Sequence, residues 1–136
     1  MMCSLLGDVV NNINSRLKEI LEDNFEGWTV TTREGYEVVG YIKNKEKIDR
    51  YAISVILSYT YENLERIVKK YLTRSTTMLL AVDLLIRDSS YKIVLLPHPL
   101  FFFIIITNNE GLKSLTSRRK DVVNIVSDAL SMIFKG

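Results

Sequence analysis

One run of seven apolar residues limits the folds open to this chain more than any other feature. Residues 100–106 read Leu-Phe-Phe-Phe-Ile-Ile-Ile with no polar residue among them. A strand with one face in water alternates apolar and polar residues, so this run predicts a strand covered on both faces. The surrounding stretch Ile93–Ile106 is broken by Pro97 and Pro99 and is shorter than the roughly 20 apolar residues that a membrane helix needs. The chain is therefore expected to hold a central strand between two layers of helices.

The other segments show helical or extended periodicity, and together they predict eight elements. In chain order these are a helix over Ser4–Asp23, strands over Trp28–Thr32 and Tyr36–Lys43, a helix over Asp49–Leu72, strands over Thr76–Arg87, Tyr91–Leu96 and Leu100–Thr107, and a last helix ending near Phe134. The expected fold class is α/β in the α+β sense, in the order α-β-β-α-β-β-β-α. Its five-stranded, mainly antiparallel sheet carries helices on both faces. A length of 136 residues suits one domain spanning residues 1–136.

Composition excludes several classes of protein. Hydrophobic residues make up 47% of the chain and the net charge is +2, which excludes a disordered chain and a strongly basic nucleic-acid binder. One Cys and one His exclude a disulfide framework and a Cys/His zinc site within one chain, and the scattered glycines form no phosphate-binding loop. We expect no cofactor and no metal. The lone thiol, Cys3, and the lack of a signal pattern are typical of a cytoplasmic protein, and the absence of glutamine suits a thermophilic or archaeal source.

The first half of the predicted helix over Asp49–Leu72 is apolar around its whole circumference. From Tyr51 to Tyr59, only Ser54 and Ser58 are polar. One face can lie on the sheet, so the opposite face is expected to meet a second partner. The two serines are four residues apart and share a face, where small side chains would let another helix approach closely.

The second half of that helix is amphipathic. Its apolar residues Leu64, Ile67, Val68 and Tyr71 are expected to point inward. Its outer face is expected to carry two i,i+4 ion pairs, Glu62 with Arg66 and Glu65 with Lys69.

Three catalytic possibilities rest on few residues. His98, between two prolines, has no second His to orient it, so it is interpreted as a loop residue, and Cys3 lacks a base. Asp83, Asp88 and Lys92 suggest a metal-dependent nuclease. That class needs an acid two residues before the lysine, where this chain has Ser90. The nuclease therefore stays the weaker alternative, and Asp83 is otherwise explained as an edge-protecting charge.

A basic cluster opens the last helix and gives a second alternative. It consists of Lys113, Arg118, Arg119 and Lys120. Such a cluster can contact phosphates. It therefore gives the alternative of a nucleic-acid-associated protein that binds through the start of the last helix. Because no aromatic residue lies between the cations, a solvated helix face explains them better.

The order from Trp28 onward resembles the Roadblock/dynein-light-chain family. The segment 28–35, Trp-Thr-Val-Thr-Thr-Arg-Glu-Gly, is similar to the family's first strand and turn, and Glu37–Ile42 is similar to its second strand. The long helix with small residues in its first half resembles the central dimer helix. Three strands follow, and Asn109–Leu112 then opens a closing helix. Longin domains fit less well, because they usually begin with a strand and place three strands before their long helix.

The resemblance implies a non-catalytic homodimer that regulates or scaffolds Ras-like small GTPases. In that family the central helices pair and the third strands join two sheets into one. Carried onto this chain, the dimer interface is Ser54, Ser58, Tyr61, Leu80 and Val82. The surface that would bind the GTPase is Tyr51, Val55, Tyr59, Glu62 and Arg66.

Overall fold

The computed structural model describes residues 2–71, 80–86, 89–108 and 110–134. Within these residues the chain forms four α-helices and one five-stranded sheet. The elements in chain order are α1 (Met2–Leu21), a 3₁₀ turn (Glu22–Asn24), β1 (Phe25–Thr32), β2 (Glu37–Ile42), α2 (Arg50–Tyr71), β3 (Leu80–Ile86), β4 (Ser89–Pro97), β5 (Phe101–Asn108), α3 (Gly111–Ser117) and α4 (Arg119–Phe134). The predicted order and fold class are confirmed.

The sheet is antiparallel throughout, in the order β2-β1-β5-β4-β3. The apolar run therefore forms the central strand, β5, and its residues 102–107 are buried. Phe103 and Ile105 belong to the core on one face of the sheet, and Phe102, Ile104 and Ile106 belong to the core on the other. The prediction of a strand covered on both faces is confirmed.

Helices pack on each face of this sheet. One core contains residues of α1, α3 and α4 packed on the sheet, among them Ile13, Leu17, Leu115 and Ile125. Trp28 lies in this core, stacked on Phe103, and its indole Nε1 donates a 2.7 Å hydrogen bond to Asn14 Oδ1. The other core lies under α2, whose residues Ile53, Leu57 and Tyr61 pack on β4 and β5.

Two local signals position α2 against the sheet. Asp49 Oδ1 accepts hydrogen bonds from the backbone N–H groups of Tyr51 and Ala52, which caps the helix as its sequence predicts. The hairpin between β1 and β2 turns at Gly35, which has φ +97°. A residue without a Cβ adopts that conformation at no steric cost.

The chain departs from the prediction near its end. The predicted last helix is two helices, α3 and α4, separated at Arg118, whose φ and ψ are −110° and 38°. The predicted beginning of β3 at 76–79 and its end at Arg87 lie outside the described residues, as do Asp88 and the side chain of Cys3. In the part of the chain that the structure describes, no helix is long and apolar enough to cross a membrane.

Candidate protein-interaction surface

The two serines of α2 face the chain's own sheet, and the contact predicted for them is wrong. Ser54 and Ser58 are buried, as is Tyr61, so none of the three is available to a second helix. Ser54 Oγ donates to the carbonyl of Arg50 at 2.7 Å, and Ser58 Oγ lies 3.5 Å from Thr31 Oγ1. These three residues are therefore excluded from the predicted dimer interface, of which Leu80 and Val82 remain.

The small side chains have a different role: they admit the β1–β2 hairpin. A Cβ placed on Gly35 would lie 3.0 Å from the Cα of Val55 and 3.5 Å from the Cβ of Ser58. The hairpin backbone therefore touches the helix where its residues are small. Close approach is what small residues at i and i+4 permit, and here the approaching element belongs to the same chain.

Because the serine face of α2 is turned inward, the helix exposes two flanks that carry large apolar side chains. The hairpin flank lies beside the β1–β2 turn and consists of Tyr51, Val55, Tyr59, Glu62 and Arg66. Tyr51, Val55, Tyr59 and Arg66 are exposed, and Glu62 is half-buried. All five residues predicted to bind a partner thus share one strip of the helix.

The outer flank lies on the opposite side of α2, away from the β1–β2 turn. It consists of Ile56, Leu64, Ile67 and Tyr71, whose exposed fractions are 61%, 36%, 51% and 69%. Three of these residues, Leu64, Ile67 and Tyr71, were expected to point inward, and that prediction is wrong. The sheet covers the Ser54–Tyr61 face, so this stripe has no cover from the described part of its own chain.

The edge strand β3 lies beyond β4 in the sheet. Leu80 and Val82 are half-buried and pack toward the core under α2. The next residues along the strand alternate: Asp83 and Leu85 are exposed on the opposite face of the sheet. In the described chain, β4 is the only strand paired with β3, so the outer edge of β3 offers free backbone groups.

Arg33 fixes the hairpin flank to the rest of the molecule. Its Nε lies 2.8 Å from Glu62 Oε1, its Nη2 lies 3.3 Å from Glu65 Oε1, and its Nη1 donates to the carbonyl of His98 at 3.0 Å. Its guanidinium also lies 4.3 Å from the ring centre of Phe102. Glu62 therefore pairs with Arg33 and not with Arg66, contrary to the i,i+4 prediction. The other predicted pair is present, with Lys69 Nζ 3.8 Å from Glu65 Oε1.

Comparison with known proteins identifies this arrangement. No protein-family model matches the chain, and no curated protein matches it in sequence. Among solved structures, the gliding protein MglB from Thermus thermophilus matches with a TM-score of 0.63 and 8% identity, over 93% of this chain and 91% of that chain. A Roadblock/LC7 domain from Streptomyces avermitilis matches with a TM-score of 0.52 and 11% identity, over 78% of this chain and 93% of that chain. The chain has a Roadblock-like fold.

A third solved structure, described as MglB with a tetrameric arrangement, matches with a TM-score of 0.58 and 8% identity. It covers 89% of this chain and 92% of its own. Identities this low show the fold alone, and the resemblance inferred from the order of elements is confirmed at that level.

The residues of the two catalytic alternatives, the nuclease and the general base, are engaged in local contacts within the Roadblock-like fold. Lys92 Nζ lies 2.5 Å from Asp83 Oδ1 across neighbouring strands, so the lysine neutralises the acid. No group of three His, Cys, Asp or Glu side chains that could hold a metal ion is found among the residues described. His98 Nδ1 accepts a hydrogen bond from the N–H of Leu100, and the ring stacks on Phe101, as expected of a turn residue.

The basic cluster divides into separate environments. Arg118 Nε pairs with Asp121 Oδ2 at 2.9 Å, while Arg119 lines a groove between α3–α4 and the sheet. Lys113 and Lys120 are exposed. The four cations therefore do not share one environment, and among them Arg119 is the one that lines the apolar groove in the described chain.

Proposed function

We propose that this Roadblock-like chain is a non-catalytic homodimer that regulates or scaffolds a Ras-like small GTPase. The observation that carries the proposal is the exposed apolar outer flank of α2. Fully burying a large apolar side chain stabilises a protein by about 1.5–3 kcal/mol, so four such residues in one strip favour association. Large exposed apolar surfaces are typical of protein interfaces.

The outer flank and β3 suit a second copy of the chain. Leu80 and Val82 pack toward the core under α2, and no other described strand pairs with the outer edge of β3, so one partner can cover the helix flank and extend the sheet. A symmetric pair presents the same strip from both chains, as two-fold interfaces require. The tetrameric arrangement of MglB in one solved structure gives a precedent for self-association of this fold.

The hairpin flank stays exposed in such a pair and is the surface proposed for the GTPase. Tyr51 and Tyr59 are amphipathic and have few rotatable bonds, which makes tyrosine a frequent anchor in interfaces. Arg66 adds an exposed cation, while Glu62 is held by Arg33. The switch loops of a small GTPase change order with the bound nucleotide, so a surface that contacts them binds one nucleotide state better. Regulation by recognition needs no catalytic residue from this chain.

Binding to purified GTPases tests the proposal. Each Ras-like GTPase of the source organism would be loaded with GDP or a non-hydrolysable GTP analogue, and its affinity measured by calorimetry. We expect one GTPase to bind at least about tenfold more tightly in one nucleotide state, and Tyr59→Ala to weaken it about thirtyfold, the loss typical of an interface anchor.

Lys120→Glu, a charge change on the opposite face of the molecule, is the matched control and should bind like the wild type. Equal affinity for both nucleotide states, or equal affinity of Tyr59→Ala and the control, would contradict this assignment.

A further inference from the structure

A groove on the opposite face of the sheet from α2 has no part in the proposed GTPase contact. It runs between α3–α4 and the strands β4 and β5 and encloses about 240 Å³. Val94, Leu96 and Ile105 form its floor, and Leu112, Leu115 and Val122 form its wall. All six side chains are aliphatic, so the groove favours an apolar occupant.

The groove is open toward the outer edge of the sheet. Ala81 of β3 pairs with Val94 and so lies on the same face of the sheet, where it is exposed. Leu85, on the same face of β3, is 73% exposed. None of the described helices contributes a residue that buries Ala81 or Leu85. Ala81 therefore extends the apolar floor past β4, while the ion pair of Asp83 and Lys92 on the same face separates it from Leu85.

Positive charge borders the groove on its helical side. Arg119 lines it and is exposed, and Lys113 and Lys120 are exposed on the same two helices. From Gly111 to Asp121 the chain carries four cations and one carboxylate, Asp121, which pairs with Arg118. On the strand side, Lys92 is already neutralised by Asp83. The side-chain charge that is not paired within the described chain is therefore positive, and it lies along α3 and the start of α4.

We propose that this groove docks an acidic, amphipathic segment of a partner protein. Apolar side chains of the segment lie on the aliphatic floor, and its carboxylates face Arg119 and Lys113, as charge complementarity requires. A nucleic acid fits less well, because its unpaired bases stack on aromatic rings and none of the described residues that line the groove is aromatic. The site is separate from α2, so it allows this chain to join two partners at once.

Peptide binding followed residue by residue tests this site. The probe is a synthetic peptide of about five helical turns, with leucines at helical spacing and glutamates elsewhere. Amide NMR shifts of the labelled protein would be recorded during titration, with a scrambled peptide of equal composition and a single-stranded oligonucleotide as comparisons. We expect the amphipathic peptide to shift the amides of Val94, Leu96, Leu112, Thr116 and Arg119, and to bind more tightly than the other two probes.

Variants at exposed positions separate the groove from the rest of the surface. Arg119→Glu should weaken peptide binding about tenfold, because it removes an attraction and adds a repulsion. Ala81→Glu should weaken it comparably by placing a like charge beside the floor. Lys45→Glu, an equal charge change at an exposed position in the loop between β2 and α2, is the control and should leave the groove shifts unchanged.

Three results would overturn the proposal. One is equal binding of the amphipathic and scrambled peptides. Another is peptide shifts confined to α2, which would assign the binding to that helix. The third is tighter binding of the oligonucleotide at Lys113, Arg119 and Lys120, which would assign the basic border to nucleic acid. The first and third outcomes leave the GTPase proposal standing, because that proposal concerns α2 on the opposite face of the sheet.

Discussion

Gly35 is the residue on which the packing of the β1–β2 hairpin against α2 depends. It combines φ +97° with a backbone contact in which an added Cβ would lie 3.0 Å from the Cα of Val55. A side chain at this position would be strained by conformation and by contact together. The turn was predictable from the pattern Arg-Glu-Gly between two strands, but its contact with α2 was not.

Gly35→Ala is expected to destabilise the chain by about 1–3 kcal/mol, because the left-handed backbone and the close contact both oppose a Cβ. The matched control is Gly7→Ala in α1, where nothing lies within 4 Å of the added Cβ. That change should stabilise the helix by about 0.5–1 kcal/mol. Urea unfolding of both variants measures the two effects. Changes of the same sign would contradict the role given to Gly35.

Ser54 and Ser58 show a limit of sequence reasoning at the scale of single residues. Small residues four apart correctly predict that some element comes close to the helix. The sequence does not say which element, because a hairpin of the same chain and a helix of a second chain need the same space. Here the hairpin occupies it, and both serines find hydrogen-bond partners inside the chain.

At the scale of elements, Arg33 joins three parts of the fold. It lies in the β1–β2 turn, pairs with Glu62 and Glu65 of α2, and donates to the turn between β4 and β5 at His98. Glu65 is mostly buried, with a side-chain exposed fraction of 19%. Removing the guanidinium would leave this carboxylate with Lys69 alone, at 3.8 Å.

Arg33→Met is expected to lower the free energy of unfolding by about 2–3 kcal/mol, because it breaks charge-assisted hydrogen bonds to partly buried groups. Lys69→Met removes a more exposed pair with the same Glu65 and should cost under about 0.5 kcal/mol. Denaturant melts of the two variants give the comparison. A loss for Arg33→Met no larger than that for Lys69→Met would show that the network does not hold these elements together.

In α2, the beginning of the helix was predicted correctly, whereas the direction in which its second half points was not. Asp49 was recognisable as a cap, since its position before an apolar run fixes its role. The stripe of Leu64, Ile67 and Tyr71 was recognised as apolar, but periodicity does not say whether the cover comes from the same chain. The division of the last helix at Arg118 had no Gly or Pro to mark it.

At the scale of the whole molecule, the order of strands follows from a few strong signals. The uninterrupted run in β5 required a central strand, and short connections made antiparallel neighbours the simplest arrangement. The resemblance to Roadblock domains rested on that order and is confirmed for the fold. The surfaces were harder to predict, because both faces of α2 are apolar and only the structure shows which one the sheet covers.

The groove beside α3 illustrates the same point. Its basic residues were visible in the sequence and suggested phosphate contacts. Their aliphatic neighbours Val94, Leu96 and Ile105 come from β4 and β5, earlier in the chain, and only the fold brings them to Arg119. An isolated cluster of charges does not show what lies beside it.

Sedimentation equilibrium of the wild type and one outer-flank variant tests the central claim, association through α2, most directly. The wild type should sediment at twice the chain mass of 15.7 kDa. Ile67→Glu should sediment at the mass of one chain with an unchanged circular dichroism spectrum, because it places a charge in the interface. Val123→Glu, at an exposed apolar position on α4, is the matched control and should remain at twice the chain mass. A wild type at the mass of one chain, or an Ile67→Glu variant still at twice that mass, would contradict the account.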